Sequence, residues 1–329
     1  MRRQSRSDRS VRNMSPADQI DSEISDLIPR LSTVTECDQA AVRLASLGTA
    51  AVSALKKFLF EGRPSVVYQP RRAAVEALAR IGAKDVLIQY LTWNHPIEDA
   101  GSRFGEECVQ NAAARELAKF GTRDVLDVLL TFALPRLRPG VVEALGQLGS
   151  IEALPYLFRA LEDDLCEKAA MDGLRKIGRT AEVALVSAAL TALPSSEEER
   201  PSSVRRRMRV LQLLVEVGLS APCWALLKPL FDDANTEIVV EMAKLAVTFG
   251  DSNERRSAAR RLIEILPNAD WFLRGEIEDS LLKLYPEAEA EVEQEFARKN
   301  NLTEPERILD PGYRTLRSVR QRTLQKSLP

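Results

Sequence analysis

The stretch RRAAVEALARIGAKDVLIQYL at residues 71–91 decides the fold. Counting back from Gly82, Ile81, Leu78 and Ala74 stand one, four and eight residues before it. That spacing marks one face of a helix. A glycine just past the last apolar residue fits the left-handed position that ends many helices. A second apolar run, AKDVLIQYL, follows at once. One stretch therefore reads as a helix, a sharp stop and another helix.

The same register recurs along the chain. RLASLG (43–48), ALARIG (77–82), ELAKFG (116–121), EALGQLG (143–149), GLRKIG (173–178), LLVEVG (213–218) and KLAVTFG (244–250) all end in a large apolar residue and glycine. The glycines are spaced by 34, 39, 28, 29, 40 and 32 residues. Four before each stands Leu44, Leu78, Leu117, Leu145, Leu174, Leu214 or Ala246; eight before stands Ala40, Ala74, Ala113, Val141, Ala170, Val210 or Met242. TRDVLDVLL (122–130), SIEALPYLFRAL (150–161) and RTAEVALVSAAL (179–190) follow their glycines as AKDVLIQYL does. Asp85, Asp124 and Glu152 then fall where an acidic side chain caps a helix or meets its positive end. SLLKLYPEA (280–288) reads as an eighth ending, with Tyr285-Pro286 in place of glycine.

Helical hairpins of this length cannot bury their apolar faces alone, and stacked neighbours complete the core. The expected fold is all-α, a right-handed α-α superhelix of about seven to eight hairpins. RRAAVEALARIGAKDVLIQYL and VVEALGQLGSIEALPYLFRALEDD (141–164) resemble bacterial HEAT repeats, including the HEAT-like repeats of phycobilisome lyases. The pattern is clear over about residues 36–250 and fades beyond. HEAT arrays serve as scaffolds, adaptors and a few enzymes, so the resemblance speaks to fold far more than to function.

Composition agrees with packed helices: 45% hydrophobic but only 5% aromatic residues, a mix that disfavours a β-sandwich. Cys37, Cys108, Cys166 and Cys223 are far apart and read as reduced thiols of a cytoplasmic protein. A zinc site needs about four clustered ligands, and His95 has no cysteine or second histidine nearby. No cofactor is expected. No stretch reaches the roughly 18 apolar residues of a membrane span, so no membrane partner is expected.

Residues 1–14 read as a disordered basic tail, 15–300 as the solenoid and 301–329 as a flexible basic tail. Ser15-Pro16-Ala17-Asp18 is a helix start, and Met14 stands as an alternative initiator. The two tails carry +4 (1–14) and +5 (307–329), which leaves −11 for the middle of a chain of net charge −2. Tyr313, Leu316 and Val319 alternate with Arg314, Arg317 and Arg320, a pattern that also allows a helix. The acidic run EAEAEVEQEFARK (287–299) reads as a polar helix closing the open end of the stack.

Three insertions fall at equivalent places between the helices of a hairpin, at 61–70, 92–107 and 194–203, and are expected along one edge. The middle one holds Trp93, His95 and Phe104 beside Asp99, Arg103 and Glu106; the third reads as a solvated loop. VRRRMR (204–209), after a Ser202-Ser203 cap, reads as an exposed turn paired with acids at 197–199 or in the next repeat.

The exposed stripe of each glycine-ending helix lies two and six residues before its glycine: Glu76/Arg80, Arg115/Lys119, Glu143/Gln147, Asp172/Lys176, Gln212/Glu216 and Lys244/Thr248. Signs are mixed, and only Arg80, Arg115 and Lys119, with Arg71 and Arg72 above, form a small basic cluster. A DNA glycosylase would need a basic groove, a carboxylate and aromatics. A bilin lyase would have to position a tetrapyrrole and is suggested by the resemblance alone. No catalytic constellation appears. The leading expectation is a non-catalytic scaffold or adaptor for a protein partner; the alternative is an enzyme or enzyme subunit of HEAT-like type, bilin lyase-like or DNA glycosylase-like, with nucleic acid the lesser partner. Its expected anchors are Arg80, Arg115, Lys119 and Lys176 on the concave stripe and Trp93, His95 and Phe104 on the insertion edge.

Overall fold

A computed structural model describes residues 15–93, 96–193 and 198–326. Among the described residues the secondary structure is helical, with no β-strand. The chain divides into two compact units, Met1–Leu148 and Gly149–Pro329. The first contains α1 (Pro16–Leu31), α2 (Cys37–Ser46), α3 (Val52–Glu61), α4 (Gln69–Ile81), α5 (Lys84–Thr92), α6 (Ala100–Ala118), α7 (Arg123–Ala133) and α8 (Pro139–Leu148). The second contains α9 (Leu154–Ala160), α10 (Glu167–Ile177), α11 (Glu182–Leu190), α12 (Pro201–Val217), α13 (Ala221–Leu227), α14 (Thr236–Phe249), α15 (Ser252–Ile265), α16 (Trp271–Asn300), α17 (Glu304–Leu309) and α18 (Pro311–Lys326).

Within each unit the pattern is that of an all-α solenoid. Consecutive helices pair as hairpins, α3 with α4, α5 with α6 and α7 with α8, then α9 with α10, α11 with α12, α13 with α14 and α15 with α16. Glycine-ending helices stack on one another, α2 on α4 on α6 on α8 and, separately, α10 on α12 on α14. The positions four and eight residues before each glycine explain this. All fourteen are buried, from Ala40 and Leu44 to Met242 and Ala246, and the alanines among them let neighbouring helices approach closely. The residue just before the glycine is a rim position in six of the seven, Leu47, Ile81 and Phe120 among them being half-buried, whereas Ile177 is buried.

Six of the seven repeat glycines have positive φ, between 64° and 89°. Gly82, at φ 88° and ψ 18°, is left-handed, and its N–H bonds back to Ala79 and Leu78. An alanine there would be strained by its Cβ. Gly250 is the exception, with φ −77° and ψ 147°; its helix ends in extended backbone. Asp85 and Asp124 lie in the first turns of α5 and α7, where a negative charge suits the helix N-terminus, and Asp124 also accepts from the Val125 N–H. The start at Ser15 is a capping box: Ser15 accepts the Asp18 N–H and Asp18 accepts the Ser15 N–H.

The C-terminal region corrects two expectations. Tyr285-Pro286 does not end a helix, because α16 runs unbroken through Pro286. Leu281, Leu284, Ala288 and Val292 form one fully buried stripe across it, and that packing outweighs the roughly 3 kcal/mol cost of an internal proline. Residues 304–326, expected to be flexible, form α17 and α18, and α18 packs on α16. Leu316 and Val319 are fully buried. Tyr313 stacks on Phe296 with ring centroids 5.2 Å apart, Arg320 lies 4.1 Å over the Phe296 ring and pairs with Glu293 at 2.6 Å, and Arg322 pairs with Glu278 at 2.8 Å. Basic tail and acidic helix neutralise each other. The basic N-terminal segment 1–14 lies outside the described residues.

Candidate functional site

The predicted stripe positions are on the surface, but their charges are taken. Arg80 is held by Glu76 of its own helix at 3.8 Å, and Lys119 by Glu116 one turn earlier. Arg115 crosses from α6 to α8 and makes a two-point contact with Glu143, which raises its pKa. In the second unit Arg175 spans α10 and α12 to Glu216 at 2.6 Å, and Lys244 joins Glu276 of α16. Lys176 is exposed on α10 and lays its aliphatic stem beside Gly149. The stripe is thus a ladder of ion pairs between stacked helices. Exposed pairs of this kind contribute only about 0–1 kcal/mol each. They do cancel the positive potential that a phosphate backbone requires.

The insertion residues separate into two groups. Trp93 turns inward, its ring 5.1 Å from Phe60 and 6.5 Å from Tyr90. His95 lies outside the described residues. Phe104 is 59% exposed, and it is helical, since α6 begins at Ala100 inside the expected loop. Asp99 caps that helix by accepting the Ser102 N–H at 2.7 Å, which lowers its pKa. The 61–70 segment then folds against α6. Tyr68 meets Phe104 edge to face at 6.3 Å, and a Cβ on Gly105 would lie 1.8 Å from the Ser65 carbonyl oxygen. Only glycine admits that approach. The result is an apolar surface of Phe104, Val66 and Val67, the valines 60% and 49% exposed.

Arg71 does not join the surface cluster; it is buried. Its guanidinium donates to the Leu59 carbonyl near the end of α3 at 3.0 and 3.3 Å and to the Tyr90 hydroxyl at 3.2 Å, and pairs with Glu106. Tyr90 donates in turn to Glu106. Burial first, and the facing carboxylate next, hold the Tyr90 phenol above its ordinary pKa.

The second unit repeats the device, against expectation. VRRRMR is not an exposed turn. Arg200, not Ser202-Ser203, is the N-cap of α12, because Pro201 suits the first helical position. Arg207, 2% exposed, donates to the Ala189 carbonyl near the end of α11 at 2.7 Å and pairs with both Glu199 and Asp233. Arg206 pairs with Glu162 at 3.1 Å and donates to the Thr191 carbonyl. Nor is the third insertion merely solvated, since Glu199 also accepts from Ser203 and Asn235 at 2.6 and 2.9 Å. In both units an arginine eleven residues before the glycine occupies the unpaired carbonyls that end the preceding helix. That register was available in the sequence, and the arginine runs at 71–72 and 205–207 pointed to it.

The fold defines an all-α solenoid whose charged stripes are internally paired. Sequence comparison agrees: a model of HEAT repeats matches residues 105–175, which supports a HEAT-repeat protein. No curated protein matches the chain. Among the described residues no helix is long and apolar enough to cross a membrane, and no group of three or more His, Cys, Asp or Glu side chains sits together to hold a metal.

Proposed function

We propose that the protein is a non-catalytic interaction module that binds a polypeptide partner through the insertion edge of its first unit. The observation that carries this reading is the exposure of Phe104, Val66 and Val67 on a surface fixed by the Gly105–Ser65 approach. An aromatic held in one place before binding loses little entropy on binding, which suits it to be an anchor. The second unit offers a parallel in Trp271 and Phe272, 79% and 61% exposed on the first turn of α16. HEAT repeats commonly serve as protein-interaction scaffolds, in keeping with this.

The first unit's stripe cations Arg80, Arg115 and Lys119 then act as a polar rim, exchanging internal partners for those of the ligand. The test is partner capture by the full chain, comparing wild type, Phe104→Glu and Arg115→Glu/Lys119→Glu. Loss of one specific partner with Phe104→Glu, by about 2 kcal/mol or more, and a smaller loss with the charge reversal is expected. Identical capture by wild type and Phe104→Glu would remove the edge from consideration.

A further inference from the structure

The register that buries Arg71 and Arg207 holds two further polar groups in the first unit, Gln110 before Gly121 and Arg138 before Gly149. Neither has the partner its position supplies elsewhere. Gln110 is 9% exposed, and its amide makes no hydrogen bond to a described residue. Arg138 makes no ion pair among the described residues; its Nε is buried without an acceptor, and its guanidinium lies 4.8 Å over the Phe132 ring. The nearby acids are engaged elsewhere, Glu107 by Arg136 at 2.7 Å and Asp127 by Arg123 at 2.9 Å. Desolvation accordingly lowers the Arg138 pKa. Buried polar atoms are nearly always satisfied, so the Arg138 Nε, beside a mostly buried Gln110 with no protein partner on the neighbouring helix, needs an explanation.

Both line one cleft of about 770 Å³ between α5, α6, α7 and the turn into α8. Its other walls include Leu91, Trp93, Val128 and Phe132. An apolar cavity of this size with a few convergent polar groups is the usual form of a small-ligand site. The missing partner of a guanidinium is an anion, and a carboxylate matches its fork with two parallel hydrogen bonds. The Gln110 amide can donate to the same carboxylate or bond a neighbouring amide of the ligand.

We propose that this cleft binds a carboxylate borne on an apolar or aromatic body, with Arg138 and Gln110 on the carboxylate and Trp93 and Phe132 flanking the body. The acid is either a free small molecule or the last residue of a polypeptide. The cleft shares no lining residue with the Phe104, Val66 and Val67 surface, so this inference stands apart from the proposed interaction edge.

The test titrates the full chain with N-acetyl-phenylalanine, N-acetyl-leucine and N-acetyl-tryptophan, each beside its neutral amide, by calorimetry. At least one acid saturates, and its amide binds about tenfold or more weakly, the loss expected when a charge-assisted hydrogen bond is removed. Arg138→Gln brings the acid down to the level of the amide; Arg136→Gln, which removes a neighbouring charge outside the cleft, changes neither. Gln110→Leu weakens the acid several-fold while holding or raising the melting temperature of the free protein, because a mostly buried amide with no protein partner gives way to an apolar side chain. A merely structural glutamine would not give that opposed pair. Arg138→Lys, with the charge kept, retains a preference for acid over amide and guards against misfolding in Arg138→Gln. A hexapeptide ending in the preferred residue separates the sources: tighter binding than the N-acetyl acid assigns a polypeptide terminus, equal or weaker binding a small acid. Equal affinity for acid and amide, undiminished acid binding by folded Arg138→Gln, or no saturation by any acid at millimolar concentration would each overturn the proposal.

Discussion

Arg71 in the first unit and Arg207 in the second solve one problem with different partners. Each reaches from the start of a glycine-ending helix to a carbonyl near the end of the preceding helix, Leu59 or Ala189. Arg71 shares its charge with one carboxylate, Glu106, and a tyrosine hydroxyl; Arg207 shares its charge with two carboxylates, Glu199 and Asp233. In both, one acid, Glu106 or Glu199, comes from an insertion that precedes a glycine-ending helix, so the lengthened repeats are locked rather than loose. A buried pair is weak evidence of net stability, since replacing it with apolar groups is often neutral, yet breaking it from one side is costly. The comparison therefore ranks these sites by what is left behind when the arginine is removed.

Arg207→Met should be the most damaging change, because it leaves two largely buried carboxylates, Glu199 and Asp233, without their counter-charge. A loss of about 3–5 kcal/mol is expected, read as faster hydrogen exchange in the amides of α11 and α12. Arg71→Met should cost less, about 3 kcal/mol, because only one carboxylate, Glu106, loses its counter-charge. Adding Glu106→Leu should recover most of that loss, and a double-mutant cycle measures the coupling. If the double variant were no better than Arg71→Met, the capping of the Leu59 carbonyl would be the larger part of the arginine's work, and the ranking by stranded acid would fail.

An exposed pair of the same unit marks the weak end of the scale. Lys84 holds Asp124 at 2.7 Å, and that hydrogen bond, helped by Thr122, depresses the Asp124 pKa to about 2. A carboxyl whose folded pKa lies below its unfolded value of about 3.9 stabilises the fold above that value. The contribution is lost as pH falls from about 4 through about 2. Asp124→Asn should therefore melt slightly below wild type at pH 7, and the gap should shrink from about pH 4 downward and close only below about pH 2. A gap that persists in acid would assign the effect to something other than the ion pair.

How much of this was legible follows from what each residue answers to. Ala74 and Leu78 answer to helix periodicity, and all fourteen residues four and eight before the glycines are buried as their spacing implied. Gly82 answers to local backbone geometry; Gly250 shows that glycine permits a left-handed stop without compelling it. Arg71, Arg207 and Arg320 answer instead to acids 35, 26 and 27 residues away. The pairing of the 204–209 run with the acids at 197–199 was legible and holds for Arg207 and Glu199, but its burial and the more distant acids were not, which is why a buried cap looked like an exposed turn and a docked helix like a free tail. Phe104 was found as an aromatic in an insertion, whereas its exposure depends on Gly105 and Ser65 meeting across two insertions.

Arg138 offers the smallest expected change in stability and the sharpest use of the comparison. It occupies the register of Arg71 and Arg207 but has no carboxylate to strand, and burial already disfavours its charge. Methionine keeps most of its packing against Phe132, since a thioether also sits well on an aromatic ring. Arg138→Met should therefore leave the free protein within about 0.5 kcal/mol of wild type, or make it more stable. Chemical denaturation of the first unit, followed through Trp93 in a chain with Trp224→Phe and Trp271→Phe, measures this. A loss near that of Arg71→Met would mean that Arg138 is a structural cap like the other two. A neutral or stabilising result would show that the register alone confers no stability: the paired acid does, and where it is missing the arginine is kept at a cost that only a ligand's anion can offset.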